Sequence, residues 1–265
     1  MATEVRTPRT FELDYDIRLT YIKLQEWRKQ RMWMQFTWHP ESLNRTKGPQ
    51  KVGEPFDLRR QALESMGFGE AHYQRCVAEE DASKARLETL AKEHPLWEHL
   101  RQVKGFGPYL SGGFIAAGGD IRRANSVTGF WKGMGLDVLP DGTVPRRVRG
   151  RKEVERKIPC PPHVSLAGEQ IRQQMLYSKG TLRAMYDGFR DQVDARHPDR
   201  AKIINMKDAQ RRTQKILYAT LWRAWREAYG LPAPMPYAFA ILMHDARPVA
   251  EGGSYYTIAD FYDRD

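Results

Sequence analysis

Cysteine is scarce. Cys76 and Cys160 are the only two in 265 residues, too few for a disulfide framework and in keeping with a reducing cytoplasm. No apolar run approaches the ~20 residues of a membrane span, and the N-terminal stretch has no signal-peptide core. There is no Walker A loop and no Gly-x-Ser-x-Gly elbow. The seven histidines are scattered, and Cys160 with His163 makes half of a zinc site without a second half. Acidic residues are thin in the middle of the chain, where no Asp-x-Asp pair supplies converging carboxylates for Mg²⁺. Asp120 stands at an expected helix end and reads as a cap, and Glu79-Glu80-Asp81 as a solvated helix face. These absences argue against secretion, membrane insertion, structural zinc and a self-sufficient active site, and no cofactor motif is left.

What is present is positive charge, unevenly placed. The 43 Lys+Arg and 33 Asp+Glu give a net +10, within an otherwise ordinary globular composition of 41% hydrophobic and 29% charged residues. Residues 1–100 hold 16 basic and 16 acidic side chains, residues 101–229 hold 25 and 12, and residues 230–265 hold 2 and 5. A net +13 in half the chain concentrates a positive field suited to a polyanion, unless it is only a solvated basic surface.

The pattern is helical throughout, so the expected fold class is all-α. Leu13, Ile17, Thr20, Leu24, Trp27, Arg31 and Met34 alternate steps of four and three, a coiled-coil seam on a helix over 11–37. Prolines and glycines over 39–56 mark a connection, and a second long helix over about 70–94 ends before Pro95. The pair reads as a helical hairpin, which either packs inside a bundle or forms a homodimer as a coiled coil. The expected organisation is a hairpin over 1–100, a basic helical domain over 101–230, and an aromatic, acidic tail over 231–265.

Gly105-Phe106-Gly107-Pro108 then opens a small, apolar helix that should run through Ala117 and stop at Gly118-Gly119, the order of a helix-hairpin-helix element. Its glycines either let backbone N–H groups approach a phosphate, with Lys104 beside them, or only serve a tight turn and close helix packing. Residues 137–163 read as an exposed arm carrying Arg146, Arg147, Arg149, Arg151 and Lys152, residues that bind phosphates through bidentate hydrogen bonds or stay on a surface loop. Three helices follow over about 164–229, broken near Ser178-Lys179-Gly180 and His197-Pro198. On the last, Met206, Ala209, Thr213, Ile216, Leu217, Thr220 and Ala224 face the core, while Lys207, Arg211, Lys215, Tyr218 and Trp222 line the opposite side. That stripe either pairs with phosphates and stacks on unpaired bases, or its aromatics pack beneath another helix and only the cations are wet. Arg122, Arg123 and Lys179 complete the set of expected nucleic-acid contacts. In the tail, Tyr255, Tyr256, Phe261 and Tyr262 are placed to dock on the body, with Glu251, Asp260, Asp263 and Asp265 shielding its basic surface.

The segment from Val103 through Ala124, continuing into Phe130-Trp131-Lys132-Gly133-Met134-Gly135-Leu136, resembles the C-terminal domain of bridge-RNA-guided insertion-sequence transposases, where a Gly-x-Gly-Pro turn leads to Gly-Asp-Ile and then Gly-Leu. Gly180-Thr181-Leu182-Arg183-Ala184-Met185-Tyr186 is similar to that family's helix after the basic arm. The order of hairpin and turn is also similar to the Nop domain of box C/D ribonucleoproteins and tandem-guide-RNA Tas proteins. The likeness covers about residues 70–230. Two features depart from it: no nuclease-like domain precedes the hairpin, and Asp137-Val138-Leu139-Pro140-Asp141-Gly142-Thr143 stands where the family places its serine nucleophile. The resemblance therefore implies RNA and DNA binding without strand cleavage, as the core of a guide-RNA ribonucleoprotein. Two alternatives are a transposase or recombinase subunit acting with a separate nuclease, and a coiled-coil scaffold.

Overall fold

The computed structural model describes residues 9–38, 54–138, 160–235 and 257–263. Over these residues the chain is all-α, with α1 (Arg9–Trp38), α2 (Glu54–Ser65), α3 (Glu70–Glu93), α4 (Trp97–Leu100), α5 (Pro108–Gly118), α6 (Val127–Gly133), α7 (Pro162–Tyr177), α8 (Thr181–Arg196) and α9 (Lys202–Ala228). Two 3₁₀ turns, Ile121–Arg123 and Ile258–Phe261, complete the order. No described helix is long and apolar enough to cross a membrane. Arg146, Arg147, Arg149, Arg151 and Lys152 lie outside the described residues, as do Tyr255 and Tyr256.

Two compact units divide the chain: Leu19–Thr89, and Met1–Arg18 together with Leu90–Asp265. The division falls inside α1 and α3 rather than near residue 100. Residues 257–263 belong to the larger unit.

In the smaller unit, Leu24 and Met34 of the expected seam are fully buried or nearly so. Met34 packs with Tyr73 and Cys76, against which Trp27, Phe68 and Val77 also lie. Helix α2 lies mostly between the connection expected over 39–56 and the helix expected from about 70, where the sequence pattern assigned no element; it buries Leu63 and leaves Leu58 exposed. Glu80 corrects the solvated-face reading of Glu79-Glu80-Asp81. It is buried, and Arg28 Nε donates to its Oε1 at 2.8 Å while Arg31 Nε donates to its Oε2 at 2.5 Å. Burial pushes the Glu80 carboxyl up, and the hydrogen bonds from Arg31 and Arg28 outweigh it, holding the group below the usual carboxylate range. A depressed folded pKa contributes stability above the unfolded value of ~4.3, lost as the pH falls through the lower folded value. Glu80→Gln is therefore expected to lower the urea midpoint at pH 7 and to make no difference below the folded pKa.

The larger unit is built around α9, which packs against α6, α7, α8 and both 3₁₀ turns. Helix α5 is apolar on nearly every side, with Leu110 through Ala117 all buried, and it packs on α7. Phe114 meets Tyr218 at a centroid distance of 5.2 Å and Phe130 at 6.2 Å, forming an edge-to-face aromatic core. Gly118 lets α5 approach that core: a Cβ there would lie 2.6 Å from Trp225 Cζ3.

Candidate nucleic-acid interface

The Gly-x-Gly turn forms as the sequence pattern implies. Gly107 is the N-cap of α5 with Pro108 in its first turn, and Gly105 takes φ +96°, a conformation that disfavours any residue with a Cβ. The back of the turn lies on the end of α7, where a Cβ on Gly105 would meet Ser178 Cβ at 3.2 Å. Turn geometry and packing thus account for Gly105 without any ligand, whereas nothing lies within 4 Å of a Cβ on Gly107.

The Lys104 amide is engaged by a carboxylate. It donates to Asp263 Oδ2 at 2.6 Å, and the Thr181 amide, at the start of α8, donates to Oδ1 of the same carboxylate at 2.6 Å. Thr181 Oγ1 lies 3.2 Å from that Oδ1. Gly180 forms the wall, since a Cβ there would collide with the Asp263 carboxylate. Its φ of −136° is open to any residue, so proximity to the anion, not backbone conformation, is what calls for glycine here. Lys104, whose amide is part of the seat, and Lys179, next to Gly180 in the chain, are exposed and without an ion-pair partner among the described residues. The turn and the start of α8 together make a place for anionic oxygen.

A second basic recess, of about 240 Å³, is lined by Arg18, Gly119, Asp120, Arg123, Gly129 and Gly133, among others. Gly129 and Gly133, one helical turn apart on α6, leave bare backbone there. Arg18 was not among the expected contacts: it sits on α1, some hundred positions from its neighbours in the recess, and no local spacing marks it. Arg123 reaches out 88% exposed, 3.8 Å from Asp120. Arg122 is otherwise engaged, its Nε and Nη2 donating to Asp120 at 2.8 and 2.9 Å and its Cζ lying 3.9 Å over the Phe11 ring. Asp120 also accepts from the Arg122 amide as the cap of its 3₁₀ turn, and its hydrogen bonds to Arg122 hold the carboxyl below the usual range.

The α9 stripe does not form a stacking surface. Tyr218 and Trp222 are fully buried. Tyr218 lies against Phe114 and accepts from Gln214 Nε2 at 3.1 Å, and Trp222 Nε1 donates to Ala124 O at 2.8 Å. The cause is that α9 is covered on both faces over its second half, so the side opposite the predicted core is core as well. Arg211 is half-buried and donates to Asp137 O; burial, with Arg172 adding to it, lowers its pKa. Lys215 Nζ lies 5.0 Å from the Trp131 ring centroid. Of the stripe, Lys207 is left exposed.

Helical arginines of the basic half mostly pair within their own helix: Arg183 with Asp187, Arg190 with Asp194, and Arg212 with Asp208, all at i,i+4. Among the described residues the charge excess therefore rests on side chains such as Lys104, Lys132, Lys179 and Lys207, which have no such partner. No three His, Cys, Asp or Glu side chains cluster as a metal ion requires among the described residues. No protein-family model matches the chain, and no curated protein or solved structure matches it. The likeness to the RNA-guided transposases and to the Nop domain rests on the quoted residues alone.

Proposed function

We propose that this protein binds nucleic acid through its basic half, without cutting it. The observation that carries the reading is the anion seat at the turn and α8, where two backbone amides from separate segments converge on one carboxylate, with the exposed Lys104 and Lys179 in the same two segments. Two oxygens of one phosphate can accept the hydrogen bonds that the two carboxylate oxygens now accept, and they bring charge for the lysines to neutralise. The recess with Arg18, Arg123 and bare α6 backbone is a second place where a sugar-phosphate chain can come close.

In its finer form, which follows the resemblance, the protein is the core of a guide-RNA ribonucleoprotein. The RNA supplies sequence recognition by pairing, and the protein contacts backbone and shape. Purification from the native host and sequencing of co-purified RNA tests this form: a discrete short species is expected, and bulk host RNA or none contradicts it. Lys104→Glu with Lys179→Glu tests the site. Affinity for a labelled single-stranded RNA should fall at least ~10-fold at about 100 mM salt, with the slope of log affinity against log salt shallower by about 1.4, two phosphates' worth. Unchanged affinity moves binding away from this seat.

A further inference from the structure

The Asp263 carboxylate belongs to a strap, residues 257–263, that is fixed at several points. Thr257 and Asp260 form a capping box, with the Thr257 amide donating to Asp260 Oδ2 at 2.6 Å. Phe261 is fully buried. Tyr262 Oη lies 2.5 Å from His99 Nδ1, and the Asp263 amide donates to Gln102 O at 3.0 Å. These contacts aim one carboxylate at the amides of Lys104 and Thr181, on segments 159 and 82 positions away.

Two features separate this seat from an ordinary helix cap. Gly180 is bare where a Cβ would collide with the carboxylate, although its backbone conformation asks for no glycine. The two lysines beside the seat make no ion pair with Asp263, and both are exposed. We infer that the strap is an autoinhibitory contact: Asp263 occupies the position of a nucleic-acid phosphate, and a nucleic acid must displace it to reach the turn and α8. The inference rests on the proposed nucleic-acid reading and adds regulation to it. No bond is made or broken; one set of hydrogen bonds replaces another. The strap acts at very high effective concentration, so intramolecular competition weakens binding from solution until the ligand's further contacts outweigh it.

The test uses the full chain with two substitutions. Asp263→Ala empties the seat, and Asp263→Asn removes the charge and leaves one acceptor oxygen for the two amides. Binding of a fluorescein-labelled single-stranded RNA is followed by anisotropy, and inorganic phosphate is titrated while the Lys104 and Thr181 amide resonances are observed. Both variants should bind RNA at least ~5-fold more tightly than the parent, and both amides should shift with phosphate in Asp263→Ala only. Adding Lys104→Glu and Lys179→Glu should abolish the gain. Equal RNA affinity in all three chains, with no phosphate response in any of them, overturns the inference while leaving nucleic-acid binding standing; Asp263 is then only the cap of α8. If no chain binds RNA or DNA but the amides respond to phosphate in Asp263→Ala alone, the nucleic-acid reading fails and the strap still competes with anions.

Discussion

Replacing His94 by alanine is expected to destabilise the larger unit by about 3–5 kcal/mol, the scale on which a buried charge loses its partner. His94 Nδ1 accepts from the Leu96 amide at 3.0 Å, which puts the ring proton on Nε2, 2.8 Å from Asp14 Oδ1. Tyr229 Oη donates to the same oxygen at 2.7 Å. Asp14 is 5% exposed and His94 1%, and Asp14 Oδ2 has no hydrogen-bond partner among the described residues. Burial, then the Asp14 carboxylate, push the Tyr229 phenol well above its ordinary range, so Tyr229 stays a donor. Without the imidazole, Asp14 keeps one donor for a full charge, and the Leu96 amide loses its acceptor. Asp14→Asn should cost far less, about 1 kcal/mol: Oδ1 still accepts both hydrogen bonds and the buried charge is gone. Urea unfolding at pH 7 checks both; an Asp14→Asn loss as large as that of His94→Ala would refute the charge argument.

Trp222→Ala should cost about 3–5 kcal/mol, the usual price of removing a buried tryptophan side chain. The loss is mainly packing, because Ala124 O keeps a hydrogen bond from Arg226 Nη1 at 3.1 Å when Trp222 Nε1 is gone. The folded fraction should bind RNA within ~2-fold of the parent, since the ring touches no solvent. The two roles of Trp222 predict opposite results: a stacking residue would give unchanged unfolding and binding weakened by about 1–3 kcal/mol. Urea unfolding with anisotropy on the same sample separates them.

Where periodicity and punctuation are local, the sequence shows the fold. Pro108 and Gly118-Gly119 bound α5, and the breaks at Ser178-Lys179-Gly180 and His197-Pro198 separate α7, α8 and α9, as the residues suggest. What the pattern could not show is how many neighbours a helix has. Helix α9 carries cations over its first half and is enclosed in its second, so a stripe that looks amphipathic puts Lys207 in water and Trp222 in the core. Glu80 was hidden for a related reason, its two arginine partners lying 52 and 49 positions away. At the candidate interface, the Gly-x-Gly turn was legible because φ +96° at Gly105 leaves a sequence mark. The seat it helps to make was not, because Asp263, Gly180 and Lys104 come together only through tertiary packing.

The measurement that bears most directly on nucleic-acid binding is the affinity of the purified chain for labelled single-stranded RNA across salt concentrations. With about four phosphates neutralised, log Kd should rise with log salt at a slope of about 3, with binding still measurable at ~100 mM. Failure to bind RNA or duplex DNA at that salt, or an affinity indifferent to salt, would contradict the reading of the basic half as a nucleic-acid surface.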